Sequence, residues 1–221
     1  MRVIPKRDDW PPKRRVIGAS HAQIILKGEV KYGRDKKTLT DLWRYLTYKD
    51  EAPEQSDKMK LGLHVEPRLM KMWEEFIRLT GEPINTQDDE HDFLVAQIDW
   101  LSYDGTRMCD FKHTTSEWLW NEAQKILAHT TVLTEGTKLD NWYSAAQHQL
   151  MVTGLGMVDY YLVWQEFGQA HFMVPRNDEY IAELRAKEIA FWQNHVLTDT
   201  PPPTRKLRLR KDPLVEQERS E

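Results

Sequence analysis

Three charged residues stand where strands seldom put them. In the segment QIDWLSYDGTRMCDFKHTT, residues 97–115, Asp99, Asp110 and Lys112 interrupt an apolar run, although strands are depleted in Asp and Lys. Asp110 and Lys112 are two apart, so in a strand they share a face. The Asp104-Gly105 pair is a strong turn signal, which predicts a β-hairpin, and a hairpin can bring that face beside Asp99. Two carboxylates on neighbouring strands can share a divalent cation that holds a phosphodiester oxygen and lowers the pKa of a bound water. A nearby lysine can position that water or offset transition-state charge. The same spacing suits a plain cross-strand ion pair on a solvated face, worth about 0.2–1 kcal/mol, and on spacing alone the plain pair is preferred.

The elements around this segment decide whether the three residues meet. Residues 1–15 carry Pro5, Pro11 and Pro12 and read as an irregular basic arm. Ser20 is expected to cap a helix, with Gln23 completing a capping box ahead of Ile24 and Ile25. A second helix fits 39–48. In 60–81 the apolar residues Leu69, Met72, Trp73, Phe76 and Ile77 recur at helical spacing, with Gly81 as the expected stop and Glu66 near the N-terminal part. From residue 93 the period changes to two, with Leu94, Ala96, Ile98 and Trp100 on one face and Phe93, Val95, Gln97 and Asp99 on the other. A helix over 144–156, strands over 159–167 and 170–175, and a long helix from Asp178 to about His195 follow. The organisation expected is an arm over 1–15, one domain over 16–198 and a basic, Pro-rich tail over 199–221.

Composition narrows the chemistry. At 221 residues, 40% hydrophobic and with nine Trp, the chain can bury a substantial core. It has no run of about 18 apolar residues and no secretory leader, so a soluble, cytoplasmic protein is expected. The single cysteine, Cys109, leaves too few thiolates for a zinc cluster, so a metal would rest on carboxylate, histidine or backbone donors, which favours magnesium or manganese. The net charge of −4 conceals two basic ends, Arg2 to Arg15 and TRKLRLRK at 204–211, for which solvated tails are the plain reading. His64, His113 and His148 flank the motif residues, but a two-carboxylate site needs none of them. Most Trp read as core; Trp10, in the basic arm, is the candidate platform for a DNA base.

The order of the motifs adds a second line. RRVIGAS ending at Ser20, GLHVEPRLM around Glu66, IDWLSYDGTRMCDFKHTT, and AAQHQLMVTG around Gln147 together resemble the YqaJ-like viral recombinase family of the PD-(D/E)xK nuclease superfamily, whose best-known member is lambda exonuclease. The resemblance covers most of the chain. It implies an α/β, restriction-endonuclease-like core with a central mixed sheet flanked by helices. It also implies an alkaline-type exodeoxyribonuclease that resects one strand of linear duplex DNA, 5′ to 3′, leaving 3′ overhangs for single-strand annealing. By the same resemblance Asp99 and Asp110 hold Mg2+ or Mn2+ with Glu66 and the backbone carbonyl of Phe111, and Lys112 is the catalytic lysine. Gln147 orients water or the scissile phosphate. Ser20 with Lys13, Arg14 and Arg15 forms a 5′-phosphate pocket, for which a helix N-terminus is physically apt. A homotrimer and a single-strand annealing partner in a bacterial or phage-infected cell are implied too.

The sequence departs from the family pattern in places. Ile98-Asp99-Trp100 replaces Pro-Asp-Gly, Asp stands at 110 where Glu is usual, and Tyr143 lies four residues before Gln147 instead of three, so Tyr143 is given no role. The competing readings are a structure-specific or nicking endonuclease on the same core and a catalytically silent DNA-end-binding protein.

Overall fold

The computed structural model describes residues 2–4, 16–32, 35–51, 54, 56–165 and 168–203. Its centre is a six-stranded sheet in the order β1 (Arg2–Ile4), β4 (Gly81–Gln87), β5 (Val95–Ser102), β6 (Met108–Thr114), β7 (Met157–Trp164) and β8 (Gly168–Pro175). All neighbours are antiparallel except β6 and β7, which run parallel. A parallel pair needs a crossover, and α4 (Glu117–Leu127) with α5 (Asp140–Thr153) supplies it. A small hairpin, β2 (Glu29–Tyr32) with β3 (Asp35–Thr38), stands apart from the sheet, between α1 (Ala22–Lys27) and α2 (Leu39–Leu46).

Helices cover both faces of the sheet, as an apolar two-sided sheet requires. On one face α3 (Asp57–Ile77) buries Leu69 and Trp73 against Trp100, Cys109, Phe111, Tyr161 and Val163. On the other face α1, α5 and α6 (Asp178–Phe191) pack over Ala96, Ile98, Met108, Tyr160, Leu162 and Phe172. The mixed α/β core is therefore as expected. Among the described residues no helix is long and apolar enough to cross a membrane.

Several local expectations change. Residues 2–4 are an edge strand on β4, not part of an irregular arm. Ser20 does not cap a helix: it is exposed inside the 3-10 turn Ala19–His21, and Gly18 holds the capping position ahead of that turn. The long helix starts at Ser56, whose hydroxyl accepts from Met59 N–H, and stops at Arg78 in the left-handed region, φ 61°. Gly81 instead opens β4, because a Cβ there would lie 2.2 Å from the Leu101 carbonyl oxygen. The register of β4 on β5 shifts between Glu82 and Ile84, at Pro83, a residue that strands accept at irregularities. Polar GEPINTQ has no clean alternation, which is why β4 is hard to see in the sequence.

Candidate active site

The hairpin forms, with Gly105 at φ 69° and the Asp104 carboxylate accepting from Ser102 Oγ and Thr106 N–H at 2.6 and 3.0 Å. Its ladder is short. Only Trp100 with Cys109 and Leu101 with Met108 are paired; beyond them the strands part, and Asp99 Oδ2 accepts the freed Phe111 N–H at 2.8 Å. An aspartate here therefore fills a gap in a backbone ladder, which answers why a strand tolerates it. Asp110 projects beside it, with Lys112 Nζ donating to Asp110 Oδ1. The parallel β7 fixes β6 on its other side, residue for residue from Met108 to Thr114.

Glu66 approaches from α3. Burial raises its pKa and the Asp110 charge raises it further, with Lys112 offsetting part. Burial and then Asp110 push Asp99 up to about 8, against Lys112. Burial would lower the Lys112 pKa, but Asp110 and Asp99 outweigh it and the ammonium is held above its ordinary value. Among the described residues, three carboxylates thus face a single ammonium.

Gln147 does not join them. It is fully buried, its Nε2 donating to the Pro175 carbonyl at 2.8 Å and its Oε1 accepting from Asn177 N–H at 2.9 Å, so it ties α5 to the link between β8 and α6. Gln149 takes the place expected of it, donating from Nε2 to Asp110 Oδ2 at 3.2 Å and to the Gln97 carbonyl at 3.3 Å. Residues two apart lie about 200° apart around a helix, so only one glutamine can face Asp110. Gln149 Oε1 is buried without a partner among the described residues. Between the two, His148 bonds Glu188 at 2.9 Å through Nδ1 and the Val95 carbonyl at 2.9 Å through Nε2, wholly buried. His113 reaches the Gln165 carbonyl at 3.3 Å, and His64 is exposed on α3. Lys13, Arg14, Arg15 and Trp10 lie outside the described residues.

The donor set fits a hard cation. Carboxylate oxygens are the right ligands for magnesium or manganese, and Asp99 and Glu66, raised by burial and then by the Asp110 charge, gain from a positive ion. No group of three His, Cys, Asp or Glu side chains converges closely enough to enclose a metal among the described residues. Water and phosphate oxygens would complete the shell, as magnesium sites usually arrange.

No protein-family model matches the chain, and no curated protein matches it in sequence. Solved structures do match. The alkaline exonuclease LHK-Exo from Laribacter hongkongensis superposes with a TM-score of 0.64 at 16% identity, over 84% of this chain and 89% of that one. Its complex with dAMP gives 0.66 at 14%, over 85% and 91%. A phage-related exonuclease from Haemophilus somnus 129PT gives 0.62 at 14%, over 85% and 96%. The chain has the fold of these exonucleases. Within that exonuclease fold, the splayed strands β5 and β6 are what hold Asp99 and Asp110 together.

Proposed function

We propose that this chain is a metal-dependent exodeoxyribonuclease. The observation that carries the reading is the meeting of Asp99, Asp110 and Lys112 where β5 and β6 part, with Glu66 opposite and one ammonium against three carboxylates. Asp99, Asp110 and the Phe111 carbonyl would hold Mg2+ or Mn2+, with Glu66 beside them binding a second ion or a bound water, and the metal would supply charge at the phosphodiester and an activated water. Gln149 keeps Asp110 oriented through its second oxygen. Lys112, which donates to Asp110, would offer its ammonium to the scissile phosphate or the attacking water.

The finer parts of the proposal rest on the motif resemblance alone: 5′ to 3′ digestion of linear duplex ends, overhangs for strand annealing, a homotrimer and an annealing partner. The 5′-phosphate pocket would use Ser20 with Lys13, Arg14 and Arg15. The test incubates purified protein with linear and closed circular duplex, with magnesium and with EDTA. Magnesium-dependent loss of the linear form alone is expected, faster on 5′-phosphorylated than on 5′-hydroxyl ends. Cutting of the closed circle would make it an endonuclease, and no digestion of either form would leave a DNA-binding protein.

A further inference from the structure

Of the nine tryptophans, only Trp10 lies outside the described residues, and of the rest Trp118 alone is exposed, at 54%. No ring or hydrogen bond engages it among the described residues. It stands near the start of α4 on the wall of a groove of about 500 Å³ that Lys31, Lys138, Gln23, Asn141 and Trp142 also line. The acids of the groove are already occupied. Glu29 pairs with Lys36 at 2.5 Å, and Asp140 accepts the Gly136 and Thr137 amides at 2.7 and 3.0 Å. Lys31 has no acidic partner among the described residues and faces Lys36 directly across the β2–β3 hairpin, an arrangement that costs stability and that an anion relieves. Lys138 is only loosely held, 3.6 Å from a Glu122 oxygen that Lys125 takes at 2.6 Å.

Packed rings link the groove to the carboxylate site through the core. Lys112 Nζ lies 5.4 Å from the centre of the Tyr160 ring, and that ring stacks on Trp142 at 5.5 Å and 13°. Trp142 and Gln149, seven residues apart, lie on one side of α5, about 10 Å along its axis. A bare indole, two amide side chains and two available ammonium groups therefore line a groove whose inner wall, Trp142, packs on the ring beside Lys112.

We propose that this groove binds an unpaired strand of DNA, with a base stacked on Trp118 and the flanking phosphates against Lys31 and Lys138; this rests on the nuclease reading above. The occupant is an unpaired strand because stacking needs a bare base face, which a duplex conceals, and because sequence-tolerant single-strand sites combine aromatic platforms with cationic walls. Where the duplex end parts at the site, the groove would hold the parted strand.

The experiment titrates labelled oligothymidylate and a blunt duplex of equal length against the full chain in EDTA, following anisotropy. Trp118→Ala is expected to weaken oligothymidylate binding about tenfold, and Trp118→Phe to recover most of it. Lys31→Gln with Lys138→Gln should flatten the salt dependence by about 1.4 in log–log slope, about 0.7 for each phosphate no longer neutralised. Unchanged oligothymidylate affinity in Trp118→Ala overturns the proposal. So does a fall in particle mass by light scattering, which would make the groove a contact between copies. Wild-type digestion of linear duplex with magnesium is measured beside these. If that fails, the nuclease reading falls with it; if it succeeds while Trp118→Ala binds normally, only the groove falls.

Discussion

Asp110 on β6 and Asp159 on β7 are both buried, one register step apart on parallel strands, and so they face opposite sides of the sheet. Asp159 is surrounded by bases. Arg107 donates to it at 2.6 and 3.1 Å and His171 bonds it at 2.6 Å, while the guanidinium lies 5.2 Å over Trp73. Burial would raise the Asp159 pKa, but His171 and Arg107 outweigh it and hold the carboxyl below its ordinary value. Across the sheet the ratio is reversed, with Asp99, Asp110 and Glu66 sharing Lys112. Burial of an acid is common to both clusters and identifies neither. The balance of charge separates them: the Asp159 cluster is complete, and the Asp110 cluster still has room for a cation.

Substitution should separate the two clusters most sharply. Asp110→Ala is expected to lower magnesium-dependent digestion about a thousandfold, because several kcal/mol of metal-supplied stabilisation is lost at 1.36 kcal/mol per tenfold. Asp159→Ala should leave turnover per folded molecule within about tenfold but cost about 3 kcal/mol in a urea melt. That is the low end for a broken buried pair, since Arg107 and His171 keep some solvent access. Equal loss of activity in the two variants would erase the distinction.

The glutamines of α5 sharpen it next. Gln149→Ala should cut turnover about tenfold with KM little changed, since a group that orients Asp110 acts on the transition state more than on substrate binding. Gln147→Ala should instead lower the melting temperature and spare turnover. Steady-state kinetics with thermal melts on both variants decides it, and the reverse pattern would restore Gln147 to the site.

The smallest effect concerns pH without metal. Asp99 has a folded pKa near 8, above the unfolded value of about 3.9, so its contribution to stability is fully present below about 3.9 and is lost as pH rises toward 8. Asp159, lowered, contributes above the unfolded value and loses its contribution as pH falls. In EDTA at pH 8, Asp99→Asn should therefore raise the melting temperature by about 2–4 °C, the shift that each 1 kcal/mol gives in a chain of this size. Magnesium should do the same for the wild type and nothing for the variant. A variant that melts lower at pH 8 would refute the charge imbalance at Asp99.

Much of this is legible along the chain. The change to period two at residue 93, the Asp104-Gly105 turn and the i, i+2 spacing of Asp110 and Lys112 all act within one hairpin, so local sequence specifies them. The helix from Asp178 is local too, and the two strands expected over 159–167 and 170–175 form over Met157–Trp164 and Gly168–Pro175. Gly81 reads as a helix stop along the chain, whereas its reason is the Leu101 carbonyl, twenty residues away. Gln147 and not Gln149 reads as the site residue because α5 is buried on nearly every side, and a helix without a polar face gives no sign of its rotation.

The sequence by itself determined which residues are capable of the chemistry and that Asp99, Asp110 and Lys112 share one hairpin. Only the tertiary structure decided which acids lack a counter-charge. Arg107 reaches Asp159 across 52 residues and Gln149 reaches Asp110 across 39. Periodicity reports the face a side chain takes within its own element, but charge balance depends on what the other elements bring to that face, and packing between distant segments sets it.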